Sequence, residues 1–225
     1  MKVEHKNKIT AEIEATDFFD TLPAEIGGYT LKKIFADAGD KFFYFSYENE
    51  KNHRSLTTYF HEETEEYKVR VKIGLIEFCL TKFFCNKLET FTEILNSEMQ
   101  PAIENLSACA DTKKDLLIAN LNLSNWNYAK TLPQTIEGFE LFIKPENPVK
   151  ITNGSYIILN YSNFETLSDL TIYYNVYTEN FSGEYKLNLV PNVSYLFDAN
   201  NLKELETKLK QSLIAEIANI KKFSD

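Results

Sequence analysis

The chain has 225 residues, with 24 Lys+Arg against 33 Asp+Glu and a formal charge of −9. At 44% hydrophobic and 25% charged residues its composition is that of an ordinary globular protein, which excludes intrinsic disorder, and its negative charge excludes a generic cationic nucleic-acid binder. Only seven glycines leave little room for phosphate-cradling loops, whereas 17 Phe and 13 Tyr make the chain strongly aromatic.

From the N-terminus, Met1–Lys8 is charged, and Ile9–Asp20 contains Glu12, Glu14, Asp17 and Asp20. No apolar signal core is read there, and no stretch approaches the roughly 20 apolar residues that span a bilayer. Three cysteines, Cys79, Cys85 and Cys109, form no CxxC pair and no disulfide framework. A cytoplasmic location is the expectation.

Leu22-Pro23 opens a turn that closes at Gly28, and a strand is predicted over Tyr29–Ile34. Aromatic and β-branched runs predict further strands at Lys41–Tyr47 and Leu56–His61. Tyr67, Val69, Val71, Ile73 and Leu75 then alternate with polar residues, the period of a strand with one wet face. Cys79–Phe83 reads as a last strand. Leu88, Phe91, Leu95, Met99 and Ile103 recur at helical spacing and predict an amphipathic helix, capped at Asn86 and kinked or split at Pro101.

The same series then begins again. Thr21–Leu31 recurs as Thr131–Leu141, and the match resumes at Tyr161, Leu170, Thr171, Tyr173, Glu179, Lys186 and Leu189. Strands are predicted at Phe139–Ile143, Tyr156–Tyr161, Leu170–Tyr177, Tyr185–Leu189 and Val193–Phe197, with a turn at Val190-Pro191-Asn192. A closing helix carries Leu202, Leu205, Leu209, Leu213 and Ile217, capped by Asn201 with Glu204. The period far exceeds that of solenoids. The expected fold is α+β: a tandem duplication of a ββββα-type unit, each antiparallel sheet packed by its C-terminal amphipathic helix, with units at 1–110 and 111–225. Asp111–Asp115 reads as a surface turn in the junction.

The strand faces suggest a contact surface. Leu56, Thr58 and Phe60, like Leu170, Ile172 and Tyr174, are the expected core register. Thr57, Tyr59 and His61, and Thr171, Tyr173 and Tyr177, form a hydroxyl-bearing aromatic register, of the residue type enriched at interfaces. Glu62, Glu63, Glu65 and Glu66 follow and would attract a basic partner. The alternatives are packing of the aromatic register inside the molecule and a solubilising acidic strand end.

Chemistry is scarce. There is no GxSxG, Walker A, GxGxxG or HExxH sequence. His61 with Glu63 presents two metal-ligand types on one strand end, but spacing places no third ligand, so no metal site is read. No cysteine has a histidine partner by position, and no catalytic residue or cofactor is implied.

Leu22-Pro23-x-x-Ile26-x-Gly28-Tyr29, the Ser55–Phe60 strand and the terminal amphipathic helix, with their repeats at Leu132–Phe139 and Asp169–Tyr174, resemble bacterial proteins of the Mog1/PsbP-like α/β/α sandwich. The resemblance implies an antiparallel sheet flanked by helices and a role in binding or assembly instead of catalysis; it carries over no functional residue. The expected function is therefore a soluble, non-enzymatic protein-binding module, of the immunity, antitoxin-like or secretion-accessory kind. Tyr59, His61, Glu62, Glu63, Glu65, Glu66, Tyr173 and Tyr177 are its candidate contacts, and its partner is a basic protein and not a nucleic acid. The alternative is a small-ligand or lipid-binding protein, or an enzyme, with an aromatic-lined pocket.

Overall fold

Two consecutive left-handed residues start each sheet. Gly27 and Gly28 have φ of +56° and +83°, the twist that joins two strands through a two-residue turn. They link β1 (Glu25–Ile26) to β2 (Tyr29–Ala38). In the second half Glu137 and Gly138 take φ of +49° and +85°, linking β7 (Thr135–Ile136) to β8 (Phe139–Ile143). A non-glycine residue there costs on the order of 1 kcal/mol, which the neighbouring bonds must offset. The Tyr47 hydroxyl donates to the Pro23 carbonyl at 2.7 Å, and the Tyr161 hydroxyl to the Pro133 carbonyl at 2.6 Å. Each such bond ties a hairpin to its sheet and contributes about 1 kcal/mol.

The computed structural model describes residues 1–107 and 116–224. The chain divides into two compact units, Met1–Ala108 and Cys109–Asp225. Cys109 and the turn expected at Asp111–Asp115 lie outside the described residues.

The first unit opens with α1 (Val3–Glu14) and closes with α2 (Leu88–Ser107). Between them, β1 and β2 continue into β3 (Lys41–Asn49), β4 (Arg54–His61), β5 (Glu66–Ile73) and β6 (Ile76–Cys79). The six strands form one antiparallel meander in chain order. Leu88, Phe91, Leu95, Met99 and Ile103 of α2 are all buried, and Phe91 stacks on Tyr67 at 5.4 Å between ring centres. Leu56, Thr58 and Phe60 are buried with them.

The second unit has α3 (Leu116–Ala119), β7, β8, β9 (Val149–Lys150), β10 (Ser155–Asn163), β11 (Ser168–Asn175), β12 (Asn180–Leu187), β13 (Val190–Ala199) and α4 (Leu202–Ser224). Its seven-stranded sheet runs β13-β12-β11-β10-β8-β7, with β9 beside β10. The apolar stripe Leu205, Leu209, Leu213, Ile217 and Ile220 of α4 packs into the core around Leu170, Ile172 and Phe197. Asn201 Oδ1 accepts from the Glu204 amide at 2.9 Å, the cap expected from sequence.

Strand registers agree between the units. Tyr47 pairs with Leu56, Leu56 with Val71 and Val71 with Phe78; Tyr161 pairs with Leu170, Leu170 with Tyr185 and Tyr185 with Asn192. Register slips fall between Phe43 and Phe45 and between Ile157 and Leu159.

Several expectations need correction. The ββββα unit undercounts the strands: five longer ones are read in each half, and β1, β7 and β9, of two residues each, carry no periodicity. Helix α1 was not expected; its single buried residue, Ile9, gives no amphipathic stripe. Only the start of the apolar run at Cys79–Phe83 is strand: β6 ends at Cys79, and Thr81–Phe83 is a 3-10 turn. Val190–Asn192 is strand, and the turn lies one step earlier, at the left-handed Asn188 and Leu189 with φ of +50° and +68°. Pro101 sits inside α2 without splitting it.

Candidate functional site

Two hairpin ends meet at one end of the first sheet. Lys41 pairs with His61 across β3 and β4, which brings the β2–β3 turn beside the β4–β5 turn. The Glu62 amide donates to the Asp40 carbonyl at 2.8 Å and joins them. Asp40, His61 and Glu63 thereby present ligand atoms all within 4.8 Å of one another. His61 Nε2 lies 2.8 Å from Asp40 Oδ2, and Nδ1 lies 3.0 Å from Thr64 Oγ1. Partial desolvation pushes Asp40 up, but the His61 hydrogen bond, its own backbone and Lys41 together leave its carboxyl below the usual range. Asp40 is the third metal-type ligand that spacing alone did not supply.

Three glutamates of the acidic run beside it have partners within the unit. Glu62 Oε1 is 2.9 Å from His5 Nδ1, and the Lys2 amide, then His5, hold its carboxyl below the usual range. Glu65 lies 3.7 Å from His5 Nε2. Glu66 pairs with Lys68 at 3.0 Å, and the Lys68 ammonium and Thr64 hydroxyl lower its carboxyl. Of the four glutamates, Glu63 and Glu65 are exposed. Glu62 and Glu66 thus help to hold α1 and the turn, while Glu63 and Glu65 face solvent.

Tyr59 is buried, with its hydroxyl 3.2 Å from Cys79 Sγ, so it is not a surface contact as expected. Burial, reinforced by Cys79, raises its phenol above the usual range. Tyr173 is half-buried, and burial with Glu184 and Asp169 raises it too. Tyr177 is 79% exposed and lies against Gly154, where a Cβ would strike its ring. Its amide donates to Asn175 Oδ1 at 2.9 Å.

The second unit also buries a polar network. Asn160 Nδ2 donates to Thr171 Oγ1 at 2.8 Å, the Ser162 hydroxyl donates to Asn160 Oδ1 at 2.7 Å, and Asp169 lies 3.6 Å from Lys186 Nζ. Burial pushes the Asp169 carboxyl up to about 6 despite Lys186. Thr171, read from sequence as part of the hydroxyl-bearing register, is buried.

Sequence reasoning also missed the outer edge of the second sheet. Along this terminal strand and the turn before it, Leu189, Val190, Val193, Tyr195 and Leu196 are exposed, Val190 at 61%, Val193 at 58% and Tyr195 at 77%. The Leu189 amide donates to the Leu167 carbonyl at 2.9 Å, which adds exposed Leu167 to the patch. In the first unit the corresponding strand β6 has four residues, and Leu75 and Ile76 are buried. The polar side chains on this stretch of β13 are Asn192, the exposed Tyr195 and the buried Ser194, whose hydroxyl donates to Glu216 Oε1 at 3.0 Å.

Among the described residues no helix is long and apolar enough to cross a membrane. No family model matches the chain, and neither the curated proteins nor the solved structures contain a match to it.

Proposed function

We propose that the chain is a non-enzymatic protein-binding module formed by duplication of one α+β unit, and that the outer edge of its second sheet is the contact surface. The common strand registers and the paired Tyr–Pro hydrogen bonds support the duplication. One observation carries the binding reading: a ten-residue edge strand presents large apolar side chains to solvent. Proteins ordinarily blunt such an edge, because its unpaired N–H and C=O groups template another strand. Duplication frees one copy to diverge, and among the described residues the strand at this position has ten residues in the second unit against four in the first.

The occupant is an extended apolar segment of a basic partner protein. Strand addition supplies main-chain hydrogen bonds, and side chains such as Val193 and Tyr195 supply specificity. The chain charge of −9 favours a basic partner and speeds the encounter at low salt. The role belongs with immunity, antitoxin-like or secretion-accessory proteins, in line with the Mog1/PsbP-like resemblance.

The test is quantitative capture from the native host with wild type and Val193→Lys. A basic partner at stoichiometric level with wild type, reduced at least tenfold with the variant, supports the reading. Equal capture by both chains contradicts it. So does an edge occupied by a second copy, seen as a wild-type dimer that Val193→Lys converts to monomer.

A further inference from the structure

The end of the first sheet carries a donor set that protein contact does not use. We propose that Asp40, His61 and Glu63 bind a divalent first-row transition ion that clamps the β2–β3 turn to the β4–β5 turn. The residues come from two turns distant in the chain and converge because Lys41 pairs with His61.

The ring of His61 is held from both sides. The Lys68 ammonium donates to Thr64 Oγ1 at 2.8 Å, and Thr64 Oγ1 lies 3.0 Å from His61 Nδ1, which anchors the outer nitrogen. Nε2 faces Asp40 Oδ2 at 2.8 Å. A divalent ion would take the place of the hydrogen shared by that nitrogen and that oxygen, each of which then offers it a lone pair. An imidazole whose far N–H is held by an outer hydrogen bond is the usual arrangement of a metal-binding histidine.

The distances suit a small ion. Metal bonds of about 2.0–2.2 Å in a tetrahedron separate ligand atoms by roughly 3.3 Å. The Nε2–Oδ2 gap of 2.8 Å must open slightly, and Glu63, exposed and within 4.8 Å of the others, must swing in. Lys41 Nζ, 3.6 Å from Asp40 Oδ1, leaves Oδ2 turned toward the imidazole. One imidazole and two carboxylates favour zinc or its neighbours over calcium or magnesium, which take oxygen ligands.

The second unit provides an internal comparison. Ser155 pairs with Asn175 where Lys41 pairs with His61, so Gly154, Asn175 and Tyr177 occupy the three positions. The Tyr177 ring reaches Gly154, so the fold converges these positions there too, but with every metal-type ligand replaced. The ion therefore belongs to the first unit alone.

The experiment titrates the metal-free full chain with Zn²⁺ near neutral pH against a chromogenic zinc chelator, with calorimetry for stoichiometry. Wild type is expected to bind one equivalent. His61→Asn, which installs the second unit's residue, should weaken binding at least about a hundredfold, and Glu63→Gln at least about tenfold. His5→Asn should leave it unchanged. Glu63 is exposed, so its variant keeps the test valid if His61→Asn fails to fold. X-ray absorption of the zinc complex should show nitrogen and oxygen neighbours without sulfur. Absence of zinc binding tighter than about 100 μM, binding unaffected by both His61→Asn and Glu63→Gln, or sulfur in the coordination shell overturns the assignment.

Discussion

Asp169→Asn is expected to flatten a fall in stability that the wild type shows between about pH 4 and pH 7. Asp169 is almost wholly buried, and burial raises its carboxyl from 3.8 to about 6 even with Lys186 nearby. A raised folded-state value means that the native state holds this proton more tightly than the unfolded chain. The stabilisation is complete below the unfolded value and is lost as pH rises through the folded one. A difference of about two units corresponds to about 3 kcal/mol. Asparagine keeps the shape and has no proton to lose. Urea unfolding of both chains at several pH values from 4 to 7.5 should show the variant gaining on wild type by about 3 kcal/mol as pH rises. Carboxylates held down by partners, such as Asp37 and Glu66, act in the opposite direction but cancel in this difference. A gap independent of pH would mean that Asp169 is ionised at no cost.

Phe197→Ala is expected to destabilise the second unit by about 3–5 kcal/mol, the usual cost of truncating a buried aromatic ring. Phe197 is fully buried in β13 and packs on Gly183 of β12. A Cβ at Gly183 would lie 2.8 Å from the Ser194 carbonyl and 3.1 Å from the Phe197 ring. Gly183→Ala should therefore cost about 1–3 kcal/mol through overpacking. The carbonyl is backbone and cannot step aside, so Gly183→Ala should remain destabilising when combined with Phe197→Ala, though by less. Denaturant unfolding of the two single variants and the double variant measures both terms. Full additivity would show that the ring is not part of the strain.

Phe197 and Gly183 bear on function because they set how β13 is built. Phe197 and Ser194 turn inward, and the register between β12 and β13 slips there, setting Gly183 against Ser194 and Phe181 against Ala199. Chain left over by the slip includes Tyr195 and Leu196, both exposed. The inward residues lock the strand to its sheet, and the slip directs the apolar contacts outward.

Much of the architecture was legible in the residues. The stripes Leu88–Ile103 and Leu202–Ile217 read as helices because burial on one face imposes a 3.6-residue period, and their apolar residues are buried, Leu202 partly. The β5 alternation was legible for the same reason at period two. The two-residue strands, β2 beyond Ile34 and helix α1 were not. Lys32–Asp37 pairs by backbone while its side chains stay largely exposed, and α1 is attached through Lys6 to Asp37, His5 to Glu62 and Glu12 to the Tyr67 hydroxyl. Such polar contacts between distant positions leave no periodic mark.

The candidate sites divide in the same way. Glu63 and His61 are neighbours in sequence and were visible; Asp40 joins them only through strand pairing. Tyr59 and Tyr177 look alike in a list of aromatic residues, but one is buried against Cys79 and the other lies open beside Gly154. The edge at Val190–Leu196 was hidden because Pro191 and Asn192 suggest a turn. Proline is in fact tolerated on an edge strand, where its missing N–H need not pair.

Amide hydrogen exchange on the purified complex with its captured partner tests the edge assignment most directly. Protection should appear along Leu189–Leu196 and be lost, together with the partner, in Val193→Lys. A complex that leaves these amides exchanging as in the free chain, and protects Glu62–Glu66 or another surface instead, would contradict it.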